Sequence, residues 1–190
     1  MKSEMNYIKN IYFPLALFIN DSLIGENLQK SCRKLSDLEG VFSDQQAYKK
    51  MSKDQVIYDV CSWIVEDNES TGALNFGITK IYSGKVGDEY YMTKGHFHQN
   101  MNSAEFYWGI KGEGILILMD QNRNTWGEKM FPGSLHYIKP GIAHRVANIG
   151  NVNLSFAACW PSDAGHNYEE ILNNGFSASL QEVDGLPKFI

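Results

Sequence analysis

The chain has 190 residues and a formal net charge of −5. This length is enough for one domain with a sizeable core that needs no disulfide or metal for its stability, so a bound metal would serve chemistry. The negative charge, without any stretch rich in lysine and arginine, argues against nucleic acid as a partner. Scattered basic residues remain compatible with a small phosphorylated ligand in a local pocket.

Cysteine usage and hydropathy indicate the compartment. The three cysteines are an odd number without a C-x-x-C pair, so we expect reduced, mostly buried thiols at Cys32, Cys61 and Cys159. The apolar run Ile11–Ile19 is interrupted by Pro14 and is shorter than the roughly 20 residues that span a bilayer. No cleavage site follows it, so we expect a cytoplasmic protein without a membrane partner.

The first 53 residues have mixed composition and are predicted to form an arm that packs on a barrel or on a second subunit. Leu15–Ile19 is strand-like and turns through Asn20-Asp21 into Ser22–Ile24. A short helix is predicted around Asp44–Met51.

From about residue 54 to 165, short apolar runs of period two alternate with turn residues, which predicts an all-β sandwich or jelly-roll barrel. A second short helix around Tyr168–Asn174, closed by Gly175, lies in a C-terminal extension of residues 166–190. We predict one domain over residues 1–190. The predicted barrel strands are Val56–Val65, Leu74–Tyr82, Tyr90–Met92, Ala104–Ile110, Gly114–Met119, Leu135–Ile138, Arg145–Ala147 and Leu154–Trp160.

Four residues have the types and strand positions of a metal site. His96 and His98 are two apart, so on a strand both imidazoles project from one face. Glu105 opens the next strand with Tyr107 on the same face, and His144 follows a turn some forty residues downstream. Three imidazoles and a carboxylate leave open positions on a divalent ion. We predict one divalent metal per subunit. The ligand types alone do not choose among Fe²⁺, Mn²⁺, Ni²⁺, Co²⁺ and Zn²⁺, of which Fe²⁺ is our first choice.

A His-x-His pair by itself is as often polar surface or a hydrogen-bonded buried pair as a metal site. The added Glu105 and His144, each in a strand context, favour the metal. The segments Gly95–His98 through Glu105, and Gly133 through Pro140 and His144, resemble the two cupin motifs. This resemblance implies a cupin, a double-stranded β-helix or jelly-roll barrel, and leaves the reaction open because one barrel hosts many chemistries.

A closer resemblance covers about residues 30 to 178. Its segments are Arg33–Gly40, Leu74–Phe76, Gly84–Gly87, Thr93–His98 and Pro161–His166, and they are similar to those of cupin-type phosphoglucose isomerases. The resemblance implies a metal-dependent isomerase that interconverts glucose 6-phosphate and fructose 6-phosphate, through either a cis-enediol or a hydride shift.

The same resemblance implies roles for site residues. Glu105 is the candidate base, although a carboxylate donating fully to a metal is a poor base. His166 would move protons near the sugar oxygens. The alternative is that His166 is only the neighbour of a helix N-cap and has no catalytic role. The implied substrate contacts, with hydroxyls and an amide for the phosphate, are Tyr58, Thr79, Thr93, the backbone of Gly95, Tyr107 and Trp160.

The chain departs from this pattern in two places. Trp160 stands where a tyrosine is expected, and Gly141-Ile142 replaces bulky aromatics near the pocket rim. These departures leave open a cupin isomerase or epimerase of another sugar phosphate, such as mannose 6-phosphate, or an Fe²⁺ dioxygenase. A non-catalytic sugar-phosphate sensor is a further alternative. A homodimer is expected because partners commonly cover cupin sheet edges.

Overall fold

The computed structural model describes residues 13–65 and 72–190. Strands dominate these residues, with two short α-helices, α1 (Gln45–Lys50) and α2 (Glu169–Asn174). The strands are β1 (Ala16–Ile19), β2 (Ser22–Gly25), β3 (Gln29–Lys34), β4 (Val56–Trp63), β5 (Leu74–Ile81), β6 (Lys85–Val86), β7 (Glu89–Tyr90), β8 (Glu105–Lys111), β9 (Gly114–Met119), β10 (Thr125–Met130), β11 (Leu135–Ile138), β12 (Ala143–Asn148), β13 (Leu154–Pro161), β14 (Leu180–Val183) and β15 (Leu186–Phe189).

Two antiparallel sheets form the jelly-roll barrel that the sequence predicts. One has the strand order β11-β8-β13-β5-β4-β3, and the other has the order β10-β9-β12. The segment before β8 extends the second sheet, because Met92 pairs with Ala147 and His96 with His144. Buried side chains from both sheets meet in one core, which includes Ile81 and Leu116. The all-β prediction is confirmed.

Alternation along β8 shows how the sequence sets the faces of the larger sheet. Glu105 and Tyr107 are buried on the inner face, whereas Phe106 and Trp108 are about half exposed on the outer face. This is the period-two pattern of a strand with one buried side. The polar Glu105 therefore faces the barrel interior, where a buried charge needs partners.

Both predicted helices are present within one residue of their expected ends. Asp44 caps α1 by accepting hydrogen bonds from the backbone N–H groups of Gln46 and Ala47. Gly175 ends α2 with a φ of 64°. The predicted N-terminal hairpin is also confirmed, with Asn20 and Asp21 at positive φ between β1 and β2.

Strands β3, β6, β10, β14 and β15 were not predicted. The expectation of mostly buried cysteines was wrong for Cys32, which is exposed, while Cys61 and Cys159 are partly buried and all three are free. Cys32 lies on the edge strand β3, whose side chains are all exposed, which explains its exposure. Among the described residues, no helix is long and apolar enough to cross a membrane. The prediction on Ile11–Ile19 falls partly outside the described residues.

Candidate metal centre and its cavity

Three backbone segments bring the four predicted metal ligands together. His96 and His98 flank Phe97, whose ring packs on the opposite side among buried apolar side chains. Glu105 is the first residue of β8 and His144 the second residue of β12. One ligand atom from each of the four side chains lies within 4.8 Å of the other three.

Hydrogen bonds orient two of the imidazoles. Nδ1 of His98 lies 3.1 Å from the Ser103 carbonyl oxygen, and Nδ1 of His144 lies 3.2 Å from the Ile142 carbonyl oxygen. A ring nitrogen beside a carbonyl oxygen carries the proton and donates it. Nε2 of each ring therefore faces the centre, and it would bind a metal in its unprotonated form.

Glu105 lies between these two nitrogens. Its Oε2 is 3.2 Å from His98 Nε2 and 3.1 Å from His144 Nε2. Burial alone would raise the pKa of Glu105, but the hydrogen bonds and positive potential of His144 and His98 hold it below its ordinary value. The carboxylate is therefore ionised at neutral pH, as a metal ligand must be.

His96 completes the set as a neutral imidazole. Burial, followed by the neighbouring His144, His166 and His98, places the pKa of His96 well below its ordinary value. Nε2 of His96 is buried and makes no hydrogen bond within the described residues, and Nε2 of His144, also buried, lies beside the Glu105 carboxylate. A buried polar atom without a partner is costly, and a divalent cation would satisfy Nε2 of His96 and bind Nε2 of His144. The four residues therefore fit a metal ion of the type held by mixed imidazole and carboxylate ligands.

A cavity of about 330 Å³ opens onto this centre between the two sheets. It is lined by every residue that was predicted to contact substrate, and by His166. These residues are Tyr58, Thr79, Thr93, Gly95, Tyr107, Trp160 and His166. The hydroxyls of Tyr58, Thr79 and Thr93 lie on β4, β5 and the segment before β8, whereas Tyr107 lies on β8 with Glu105. Gly141 and Ile142 do not line the cavity, so their expected place at its rim was wrong; Ile142 packs against the core.

His166 lies directly beside the metal ligands. Its ring centroid is 4.3 Å from that of His96, and it stacks on Tyr168 with an interplanar angle of 3°. Burial is the main reason that the pKa of His166 lies below its ordinary value, with Glu105 opposing this shift and His98 adding to it. His166 is thus neutral at physiological pH and able to accept or pass on a proton.

The sequence interpretation did not assign several residues of the cavity wall, among them two cations and a tyrosine. Arg33, Lys94 and Tyr168 line it, and Lys94 Nζ lies 5.0 Å from the centre of the Tyr168 ring. Tyr168 follows His166 by two residues, in a segment that pairs with Phe97 through Asn167. An alternating strand pattern at residues 166–168 would have placed both rings on one face.

A second cleft, of about 350 Å³, lies on the outer side of β3, β4 and β5, away from the metal ligands. Lys30, Cys32, Asp59, Cys61 and Lys80 are among its lining residues. These residues alternate along their strands with those of the metal cavity. Among the described residues, the only cluster suited to a metal ion is the one at His96, so the cleft is not part of this centre.

A jelly-roll barrel with a His-x-His pair, a glutamate and a third histidine on its inner wall defines the chain as a cupin. A family model described as glucose-6-phosphate isomerase (GPI) matches residues 32–184. The chain belongs to this family.

Proteins with the name glucose-6-phosphate isomerase are similar to the chain over most of its length. The one from Thermococcus litoralis is 43% identical over 162 residues, which is 84% of each chain. That from Thermococcus kodakarensis is 44% identical over 163 residues, 85% of each. That from Pyrococcus furiosus is 42% identical over 167 residues, 87% of each.

Two solved structures match the chain weakly. An oxalate oxidase structure aligns with a TM-score of 0.48 at 13% identity and covers 60% of this chain and 56% of its own. Oxalate decarboxylase from Bacillus subtilis aligns with a TM-score of 0.47 at 17% identity, over 58% of this chain and 26% of its own. Similarity at this level is too low to support an argument about the site.

Proposed function

We propose that the protein is a metal-dependent glucose-6-phosphate isomerase that interconverts glucose 6-phosphate and fructose 6-phosphate. The observation that carries this proposal is the shared cavity, which has four metal ligands on one part of its wall and several hydroxyl groups on another. A sugar phosphate needs these two regions, one for its reacting oxygens and one for its phosphate. Membership of the family supports the same assignment.

His96, His98, Glu105 and His144 would hold one divalent ion, for which we propose Fe²⁺. A divalent cation at this position would polarise the oxygens on C1 and C2 of the sugar as charge develops on them. The buried Nε2 atoms of His96 and His144 would each supply a lone pair to this ion.

Glu105 would also act as the base in an enediol route. One of its oxygens lies between His98 and His144, so the other remains to take a carbon-bound proton from a sugar in the cavity. Tyr107, buried two residues along the same face, has a pKa well above its ordinary value because of burial. It is therefore protonated and can donate a hydrogen bond to a sugar oxygen.

His166 would move protons between sugar oxygens and assist ring opening. It is neutral and lines the cavity beside His96. The stacked Tyr168 ring restrains its orientation. A neutral imidazole has one donor and one acceptor nitrogen, which a transfer between adjacent oxygens requires.

The phosphate would lie against Tyr58, Thr79, Thr93 and the backbone of Gly95. Burial raises the pKa of Tyr58 to about 12, so its hydroxyl remains a donor. Neutral donors can hold a phosphate at a barrel mouth that water also reaches.

The test is a coupled assay for conversion of fructose 6-phosphate to glucose 6-phosphate. Protein stripped with a chelator should be inactive and should regain turnover when it is reloaded with Fe²⁺, and Mn²⁺, Ni²⁺, Co²⁺ and Zn²⁺ are tested in parallel. Stoichiometric metal binding without turnover with any ion would contradict the proposal.

Trp160 supports a second candidate, isomerisation or epimerisation of another sugar phosphate such as mannose 6-phosphate. Its indole lies 3.3 Å from the position that a Cβ on Gly77 would occupy, so the ring fills space that a smaller aromatic side chain would leave open. An indole lacks an acidic hydroxyl. Turnover of mannose 6-phosphate above that of fructose 6-phosphate would favour this candidate.

We further propose a cytoplasmic homodimer, with the single domain, arm, barrel and extension bounded as the sequence predicts. The outer face of the larger sheet exposes large apolar side chains, among them Trp108 (54%) and Leu135 (68%), which lie opposite each other on β8 and β11. Phe106 and Tyr137 continue this face with ring centroids 5.1 Å apart. A contiguous apolar surface of this kind is typical of an interface.

Replacement of Trp108 with glutamate is expected to convert the dimer to a monomer, because it places a charge in the centre of the apolar face. Light scattering measures the mass. Trp126→Glu is the matched control, since Trp126 is 39% exposed on β10 in the other sheet, and it should stay dimeric. A monomeric unaltered protein, or a dimeric Trp108→Glu variant, would show that this face is not the interface.

A further inference from the structure

The segment that carries Thr93 and Gly95 forms a bulge against β12. Met92 lies opposite Ala147 and His96 opposite His144, so four steps along one strand match three along the other. The extra residue is accommodated with Gly95 at a φ of +81°, a backbone conformation that glycine adopts without strain. The bulge turns this backbone toward the cavity, which Gly95 lines.

Arg145 packs against the rear of this bulge. It follows His144 on β12 and projects from the opposite face of the strand. A Cβ on Gly95 would lie 3.0 Å from Arg145 Cβ and 3.3 Å from its Cδ. The guanidinium group then lies 4.2 Å from the centre of the Phe176 ring, in the C-terminal extension.

The positive charge of Arg145 is buried, and nearby hydrogen-bond acceptors and negative charges only partly stabilise it. Arg145 is 4% exposed, and its Nε makes no hydrogen bond within the described residues. Burial lowers its pKa to about 10, with Glu89 partly opposing this change, so the group is charged at neutral pH. Glu89 instead accepts hydrogen bonds from the backbone and hydroxyl of Ser43. A buried cation of this kind is costly unless an anion stabilises it.

We propose that Arg145 is a positioning residue for the substrate phosphate, whose negative charge binds on the cavity side of the Thr93–Gly95 bulge while the guanidinium lies on its rear side. This inference rests on the proposed function, because it assumes a phosphorylated ligand. It adds a charged group to a phosphate region otherwise made of hydroxyls and an amide.

Two cations that line the cavity, Arg33 and Lys94, are more exposed to water than Arg145 is. Arg33 is exposed and Lys94 is only half-buried, so salt screens both charges. The Arg145 guanidinium is excluded from water and keeps its attraction for an anion in salt. The salt dependence of phosphate binding therefore separates the buried cation from the exposed ones.

The test measures binding of inorganic phosphate by calorimetry and the kcat and KM for fructose 6-phosphate. Arg145→Met keeps an unbranched side chain against Phe176 but removes the charge, and it should raise Kd and KM roughly tenfold with little change in kcat and metal content. Arg145→Lys should restore most of the affinity. Lys129→Met is the control, because it removes an exposed charge that pairs with Glu113 at 3.2 Å; its phosphate Kd should stay unchanged.

Equal loss of affinity in Arg145→Met and Arg145→Lys, or none in a folded Arg145→Met, would overturn the inference. A measurement on the unaltered protein covers the case in which the variants do not fold. Its phosphate Kd should rise less than threefold between about 0.05 and 0.5 M salt, and a rise above tenfold would assign binding to Arg33 and Lys94. Phosphate binding that depends on Arg145 without isomerase turnover would contradict only the proposed function.

Discussion

Replacement of His144 with alanine is expected to remove metal and turnover together. Its Nε2 is buried and lies 3.1 Å from Glu105 Oε2, so the substitution deletes a ligand and leaves a cavity beside the remaining three. Metal affinity should fall at least about 100-fold, because loss of even an outer-shell partner of a ligand costs roughly 10- to 100-fold. Turnover should fall with the metal content. Elemental analysis after dialysis and the coupled assay measure the two quantities on one sample.

His136→Ala is the matched control for this variant. His136 is also a buried histidine on a barrel strand, but it is hydrogen-bonded to Glu128 at 2.7 Å and to Ser134 at 2.9 Å. Its loss should reduce stability by about 1–3 kcal/mol, the range for unpairing buried polar groups, while the metal stays bound. Full metal content in His144→Ala would show that His144 is not a ligand.

The sequence predicted the metal cluster because its geometry is largely local. Two histidines two apart on a strand must share a face, and Glu105 shares the inner face of β8 with Tyr107 whatever the rest of the chain does. The approach of His144 required only the antiparallel return of β12. Strands that are buried and apolar, such as β9, were predicted for the same reason.

The missed strands have a different physical basis. All six side chains of Gln29–Lys34 are exposed, and those of Thr125–Met130 are mostly exposed. Such segments have no alternating apolar pattern, and pairing with a neighbouring strand makes them extended. The pattern of neighbouring residues in these segments therefore does not indicate their extended conformation.

The roles of Arg145 and Tyr168 also depend on distant contacts. Arg145 belongs to a predicted strand, but its position behind the phosphate region follows from a bulge in the opposite segment and from Gly95. Tyr168 reaches the cavity through the pairing of Asn167 with Phe97. The Arg145 contact leaves no pattern within a window of neighbouring residues, and the only local signal for Tyr168 is its spacing of two residues from His166.

Replacement of Glu105 with glutamine should reduce kcat by about 100-fold or more, the contribution typical of a general base, and should reduce metal content less than His144→Ala does. The amide retains an oxygen that can bind a cation but cannot take a proton at neutral pH. Three imidazoles remain to hold the ion. The kcat of metal-saturated protein, measured beside its metal content, separates the two effects.

Glu128→Gln provides the control, because Glu128 is likewise a glutamate whose Oε2 contacts an imidazole, at 2.7 Å from His136 Nδ1, but lies outside the metal cluster. It should keep both metal and turnover. If Glu105→Gln loses metal as completely as His144→Ala, and excess metal restores its kcat, Glu105 is a ligand without a role as base. The proton must then be moved by another group at the cavity wall, or hydrogen must pass directly between C1 and C2. Deuterium from solvent would enter the product carbon in the first case and would be absent from it in the second.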